Sequence, residues 1–552
     1  MLRIFPHDNL GTEPRTSRRK TRFVVSRGIA LAALSIFAQR GAEAQVQAEA
    51  KTAAGLVKGT TSIDGFVAIY RGIPFAAPPI GALRWKAPQQ ALPWQGARDA
   101  TTFGARCMQG ALFNDMIFRD SMSEDCLYLN VWSNSRQPGR RRPVMVWFYG
   151  GGFQAGSASE PRQDGERLSR LGVVVVSLNY RLGAFGFMAH PALTAESGTA
   201  SSGNYGLLDQ VAALHWIQQN IDAFGGDPGN VTIFGESAGS FSVNALVASP
   251  LAKGLFHKAI GESGSLMSEQ TLAASPLHTA EQNGLALQEK LLARSMDGMR
   301  AVSAQDVLKT ALSMRTTSFS AIIDGQLLPR SATAIYNDGA QNKVPLLAGW
   351  NADEARSSAT MAAQAPTITS FTNRIRAQFG ASADAILAVY PAKSDEDAIN
   401  ATADFNSDMF ISHGTRRWME VHRKTSGAPV YRYLFRRVIP IAPGTKQNGE
   451  PIRAAEVGAR HAGEIEYVFG TLESVPKVTW ERGDHALSDL MMRYWSNFAR
   501  SGDPNGTGLP KWPRYTGDKG ASVMELDVVS KAAPDKVRAR YEALDAAFAR
   551  KP

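Results

Sequence analysis

VTIFGESAGSFSVNALVAS, residues 231–249, changes its local preference from strand to helix within a few residues. Val231, Thr232, Ile233 and Phe234 are β-branched or aromatic and read as a strand. SFSVNALVAS (240–249) reads as a helix. Between them, Gly235-Glu236-Ser237-Ala238-Gly239 matches G-x-S-x-G. A chain with 50 glycines produces that match by chance readily, so its weight comes from the strand before it and the helix after it. Such a junction is a sharp turn. It needs glycine on both sides of the serine, because a Cβ would collide there, and it lifts Oγ clear of the backbone. The helix N-terminus beneath favours developing negative charge. Ser237 is the candidate nucleophile.

A near-copy, GESGS, follows at 261–265. It has no glycine two residues after Ser263, although FHKAIGES (256–263) can form a strand. Ser263 reads as a buried hydroxyl bonded to a neighbour.

Working outward, PVMVWFYGGG (143–152) is an apolar strand running into a glycine turn, and LGVVVVSLNY (171–180) is a second continuously apolar run. NYGLLDQVAALHWIQQNIDAFGG (204–226) has apolar positions at helical spacing before a double glycine. Strands apolar on both faces and separated by a helix predict a mostly parallel sheet covered by helices, the α/β class. Gly150-Gly151-Gly152-Phe153 offers successive unhindered N–H groups for an oxyanion, with the N–H of Ala238 as a third donor. Gly150-x-Gly152-x-x-Ala155 also fits a dinucleotide fingerprint, but GSASEPRQDG (156–165) after it is not helical and no Gly-Lys-Ser/Thr follows.

The 552 residues are 44% hydrophobic and 20% charged, a globular profile without low-complexity blocks or repeats. At the N-terminus, Arg15, Arg18, Arg19, Lys20 and Arg22 precede the apolar run GIALAALSIFA (28–38) and the small-x-small step Ala42-Glu43-Ala44. This is the layout of a secretory signal peptide over 1–44, too short in its apolar part for a stable membrane span; an anchor or an unstructured tail is the alternative. Without 1–44 the net charge falls from +10 to +5, which excludes a nucleic-acid partner on charge grounds. Arg140-Arg141-Arg142 reads as a solvated turn before a strand. The two cysteines, Cys107 and Cys126, in an exported chain favour a disulfide; two buried thiols are the alternative. No histidine lies near them at metal-ligand spacing and no HExxH is present, so no metal and no cofactor are expected.

At this point the chain resembles the type B carboxylesterases, an α/β-hydrolase family that includes cholinesterases and bacterial para-nitrobenzyl esterases. The matching segments are YRGIPFAAPPIGALRWKAP (70–88), EDCLYLNVW (124–132), YGGGF (149–153), NYRLGAFGF (179–187), FGGDPGNVTIFGESAG (224–239), AGWNADEA (348–355), HAGEIEYVFG (461–470) and YWSNFARSGDPN (494–505). They run in the family's order through nearly all of residues 45–552. The resemblance implies a single domain with the α/β-hydrolase fold and long insertions. It implies a triad of Ser237, Glu354 and His461, oxyanion donors Gly151, Gly152 and Ala238, and a Cys107–Cys126 disulfide. It places Ser263 as a supporting hydroxyl near the acid. Residue chemistry alone leaves Asp353 and Glu354 open as the acid and His485, beside Asp484, as a rival base.

The resemblance further implies two-step hydrolysis of carboxylic esters through an acyl-enzyme, with Glu236 close to the imidazolium. Two departures matter. Ala355 stands where the family commonly has glycine, and the 107–126 loop lacks the tryptophan that binds cationic choline esters in cholinesterases. Met108, Leu112, Phe113, Met116, Ile117 and Phe118 in that loop instead offer apolar side chains to line or cap a gorge, or simply pack beneath it. The expected partner is a small-molecule ester, with the choice between monomer and homo-oligomer open. The alternatives are an interfacial lipase with 107–126 as lid, a hydrolase for one bulky ester, and a non-enzymatic binding module on the same fold.

Overall fold

The central strands are too apolar for one buried face. Val231, Ile233 and Phe234 are consecutive or near-consecutive and all fully buried, as are Val174, Val175 and Val176, so helices must cover both sides of the sheet. The structure, a computed structural model, describes residues 48–113, 116–134, 141–268, 271–314, 319–447 and 450–550. The signal-peptide segment 1–44 lies outside them. Residues from Val46 onward form one compact unit.

Thirteen strands make the main sheet: β1 (Ala48–Thr52), β2 (Gly55–Thr61), β3 (Val67–Pro74), β4 (Ala97–Asp99), β5 (Tyr128–Asn134), β6 (Arg142–Phe148), β7 (Val174–Leu178), β8 (Gly226–Glu236), β9 (Lys258–Glu262), β10 (Leu346–Asn351), β11 (Val430–Phe435), β12 (Ser522–Leu526) and β13 (Lys531–Pro534). Their order is β1-β2-β3-β5-β7-β6-β8-β9-β10-β11-β12-β13, with β4 beside β2. The stretch from β7 to β12 is parallel throughout and the flanks are antiparallel apart from the β2–β4 pair, so the chain has the mostly parallel α/β-hydrolase sheet. Active sites in open parallel sheets lie beyond the carboxyl ends of the strands, and that edge carries the candidate residues here.

β8 runs into helix α2 (Ala238–Ala248), and helix α1 (Tyr205–Asn220) precedes β8 as its periodicity predicts. α2 begins two residues earlier than the sequence suggests. Ser237 is its N-cap, at φ 52° and ψ −124°, and Ala238 is already helical. The glycines make this possible. A Cβ on Gly239 would overlap the carbonyl oxygen of Phe148, and one on Gly235 would sit 2.6 Å from that same oxygen. β6 stops at Phe148 because Gly151 (φ 99°) and Gly152 (φ 65°) turn the chain. One expectation is corrected: Arg142, read as part of a solvated turn, is a buried residue opening β6, its N–H donated to the Gly225 carbonyl.

Register explains the near-copy. Gly235 pairs with Gly261 and Glu236 with Glu262 on adjacent strands, so the two GES sequences lie side by side. Each serine leaves its strand in the left-handed region (φ 52° and 58°) and donates its N–H across to the next strand, Ser237 to Glu262 and Ser263 to Gly349. Cys107 and Cys126 form a disulfide. Among the described residues, no helix is long and apolar enough to cross a membrane.

Candidate active site

Four strand ends converge. β6 supplies the glycine turn, β8 Ser237, β9 Ser263, and the loop after β10 supplies Glu354. Ser237 Oγ lies 2.9 Å from Nε2 of His461, and Nδ1 of His461 lies 2.6 Å from Oε2 of Glu354. The other oxygen, Oε1 of Glu354, accepts from Ser263 Oγ at 2.6 Å and from the Asn351 N–H at 2.7 Å. A carboxylate receiving these bonds acts as an acceptor, so the ring donates from Nδ1 and Nε2 is the acceptor facing the serine hydroxyl. Of the two acids that sequence left open, Glu354 reaches the ring. Asp353 turns away and accepts the Ala459 N–H at 2.9 Å. His485 is half exposed and lies 3.7 Å from Glu473, away from Ser237.

Behind this chain of contacts stands a carboxyl that sequence reasoning missed. Glu464 is fully buried; its Oε2 accepts from Asn351 Nδ2 at 2.6 Å, and its Oε1 is 3.5 Å from Ser263 Oγ. Its signal was a charged residue three positions after His461, directly before the mostly apolar run IEYVF (465–469). Glu236 is the third buried acid, with Oε1 3.3 Å from Nε2 of His461. Burial pushes the Glu236 carboxyl upward against the pull of His461, with Glu464 and Glu354 adding to the rise. Burial likewise raises Glu464, helped by Glu354. For His461, burial works downward, but Glu236 and Glu354 outweigh it and hold the imidazole above its ordinary range.

Ser237 and His461 open on a cavity of about 340 Å³ that is also lined by Gly150, Gly151 and Gly152. A Cβ on Gly152 would meet nothing within 4 Å. The Ala238 N–H opens α2 directly after the serine. From the disulfide-closed loop, Phe113 and Met116 line the cavity. Met108 instead packs in the core, Leu112 and Ile117 are exposed, and Phe118 lies under Arg106. Phe410 was not foreseen. It sits in a π-helical turn, Asp408–Ser412, and sets its ring edge-on to His461 at 5.0 Å between centroids. Among the described residues no cluster of His, Cys, Asp and Glu has a metal-binding arrangement.

The sequence model of the carboxylesterase family matches residues 44–548. The chain is 38% identical to a fumonisin B1 esterase of Sphingopyxis macrogoltabida over 482 residues, covering 84% of each protein. It is 36% identical to the para-nitrobenzyl esterase of Bacillus subtilis over 480 residues, covering 84% of this chain and 91% of that one. Among solved structures, a carboxylesterase of Geobacillus stearothermophilus superposes with a TM-score of 0.76 at 32% identity, over 90% of this chain and 99% of that chain. A para-nitrobenzyl esterase superposes at 0.75 with 33% identity and the same coverage.

Proposed function

The chain belongs to the carboxylesterase family and is a carboxylic ester hydrolase, and from that premise we propose that it works through a Ser237–His461–Glu354 triad and an acyl-enzyme. The observation that carries the reading is the unbroken relay of 2.9 and 2.6 Å contacts from Ser237 through His461 to Glu354.

In the first step His461 Nε2 takes the Ser237 proton as Oγ attacks the ester carbonyl. Glu354 keeps the ring in the tautomer that accepts at Nε2 and balances the charge it gains. The N–H groups of Gly151, Gly152 and Ala238 receive the oxyanion, each contributing about 2.7–4 kcal/mol if it resembles measured donors. His461 then protonates the departing alcohol, and in the second step it activates the water that releases the acid. Ser263 and Asn351 hold Glu354 still, and Glu236 offsets the imidazolium charge from the other side of the ring.

Residues 1–44 are proposed as a secretory signal and 45–552 as one catalytic domain; an exported protein with a Cys107–Cys126 disulfide suits an oxidising compartment. A lipase reading draws support from Leu112, Phe113 and Ile117, all about half exposed on the loop beside the cavity. A rate jump above the solubility limit of a long-chain ester distinguishes it.

The test is hydrolysis of p-nitrophenyl esters from acetate to palmitate by the wild type and by Ser237→Ala. Turnover of short chains, lost in Ser237→Ala, is the expected result. Activity retained in Ser237→Ala refutes the assigned nucleophile.

A further inference from the structure

Phe410 reaches His461 from a helix that is regular apart from one turn. Asp395–Ser407 and His413–Ser426 are α-helical, and Asp408–Ser412 between them is the π-turn, closed by the His413 N–H donated to the Asp408 carbonyl. DMFIS holds no glycine or proline that would impose the wider turn, so its cause lies outside the segment.

The C-terminal helix, Arg538–Phe548, grips the turn at both ends. At the start, Asp408 is 1% exposed; Arg540 Nε lies 2.9 Å from its Oδ2, and Arg540 Nη2 donates to its Oδ1 at 3.3 Å. Tyr390 OH donates to the same Oδ2 at 2.7 Å, and Arg540 Nη1 lies 2.6 Å from Asp404 Oδ2. At the end, Asp545 Oδ1 lies 2.8 Å from Nε2 of His413, and Asp545 Oδ2 accepts from Arg416 Nη1 at 2.9 Å. In an α-helix, positions 408 and 413 would point about 140° apart. The N–H to carbonyl bond of the π-turn stacks them instead, so one neighbouring helix can hold both only in the π register. Burial pushes the Asp408 carboxyl upward and Arg540 pulls it back. A buried ion pair of this kind seldom adds stability over an apolar pair of similar volume, and its best-attested use is to specify a register.

The register matters because of what the turn touches. Phe410 sets its ring against His461, and Phe410 and Ile411 both line the cavity above Ser237. Ser407, directly before the turn, accepts the Ala355 N–H at Oγ at 2.9 Å, next to Glu354. The base and the acid of the triad thus lean on the same stretch of helix.

We propose that Arg540 and Asp545 are positioning residues: the C-terminal helix clamps the π-turn and so fixes Phe410 as the wall that orients His461 and selects the ester by size. The inference rests on the triad reading above and extends it to residues that do not line the cavity.

The test is a double-mutant cycle of Arg540→Met and Phe410→Ala, with kcat/KM for p-nitrophenyl acetate and p-nitrophenyl hexanoate measured well below each variant's melting temperature. The hexanoate-to-acetate ratio does not depend on how much of a variant is folded. It should fall about tenfold in Phe410→Ala, the worth of roughly two buried methylenes. Arg540→Met should lower it to a similar extent, Arg540→Lys should restore most of it, and the double variant should fall no further than Phe410→Ala alone. Arg540→Met lowering both esters alike, as a merely structural role would, overturns the proposal. So do losses that add in the double variant, or a Phe410→Ala ratio equal to that of the wild type. Tyr390→Phe and Asp545→Asn each weaken one hold on the turn and cover an Arg540 variant that fails to fold. Each should lower the ratio about threefold, and neither should lower it further once Phe410 is alanine. A ratio unmoved in both refutes the clamp. Ser237→Ala is measured alongside: activity retained there removes the triad reading, whereas an inactive Ser237→Ala beside unmoved ratios removes only the clamp.

Discussion

Replacing Glu236 by glutamine should move the acid limb of the pH–rate profile to lower pH. In the proposed mechanism His461 serves as a base only while Nε2 is unprotonated, so activity should fall as pH drops through the pKa of the ring. A carboxylate oxygen 3.3 Å from Nε2 favours the protonated ring. At an effective dielectric of about 20, unit charges at this separation interact by about 5 kcal/mol, or between three and four pKa units. That figure is a ceiling, because burial drives Glu236 toward its neutral form. The two groups therefore titrate as a pair, and the limb belongs to the pair. We expect a downward displacement of about one to two units, with a plateau kcat about tenfold lower, roughly 1.4 kcal/mol, because the imidazolium of the transition state loses a counter-charge.

The assay is kcat/KM for a short p-nitrophenyl ester from pH 4 to 10, read at the wavelength where phenol and phenolate absorb equally. An acid limb that stays in place, or moves to higher pH, refutes the reasoning. Stability gives an independent check. A carboxyl whose folded pKa is raised contributes most below its unfolded pKa, and that contribution is lost as pH rises toward the folded value. Glutamine never ionises, so Glu236→Gln should raise the melting temperature more at pH 8 than at pH 5.

The glycines of the turns separate two kinds of constraint. Gly239→Ala forces a Cβ into the Phe148 carbonyl oxygen, backbone that cannot yield, and should abolish soluble, active protein. Gly152→Ala meets open space and pays only for its positive φ, so it should fold with a loss of about 1 kcal/mol in chemical denaturation. Equal losses in the two variants contradict the steric account. Replacing Cys107 and Cys126 by serine opens a loop with a sequence separation of 19 and should cost about 3 kcal/mol in urea unfolding. Because Phe113 and Met116 on that loop line the cavity, KM for apolar esters should rise as well, and an unchanged KM removes the loop from the site.

What could be read from sequence followed backbone constraint. The elbow around Ser237 was legible because glycines flank a β-branched run that turns into a helix, and local sterics admit few other structures there. The start of α2 was misplaced because Ala238 and Gly239 look like turn residues, while the strained Ser237 lets the helix begin directly behind it. The acid was different. Asp353 and Glu354 are neighbours on one loop, and the choice between them depends on which side chain reaches an imidazole 107 residues away in the chain. His461 has only a weak local mark, small residues beside it and a helix-like acidic segment after it, and the resemblance is what singled it out. Phe410 owes its position to a π-helical turn whose sequence, DMFIS, is ordinary for an α-helix.

Glu464 shows why the rest was hidden, and Glu236 was placed beside the ring only by the resemblance. Three glutamates occupy three adjoining strand ends or loops around one histidine, and a fourth, Glu262, pairs in register with Glu236 and accepts from Trp495 Nε1 at 2.7 Å. Each alone reads as a solvated carboxylate; only the parallel register and the loop after β10 bring them together under cover. Burying so many acids opposes folding, since each must either hold a costly charge or take up a proton. The neighbouring strands show what offsets it: β6, β7 and the Val231–Phe234 part of β8 are almost entirely buried and rich in valine, with isoleucine, tryptophan and phenylalanine. In the proposed mechanism the same cluster supports His461. With Glu354 fixed by Ser263 and Asn351, and Glu236 facing the opposite nitrogen, the ring can gain a proton from Ser237 with little rearrangement around it. That preorganisation would lower the barrier to attack at the serine, which gives a reason for burying these acids at the strand ends despite their cost.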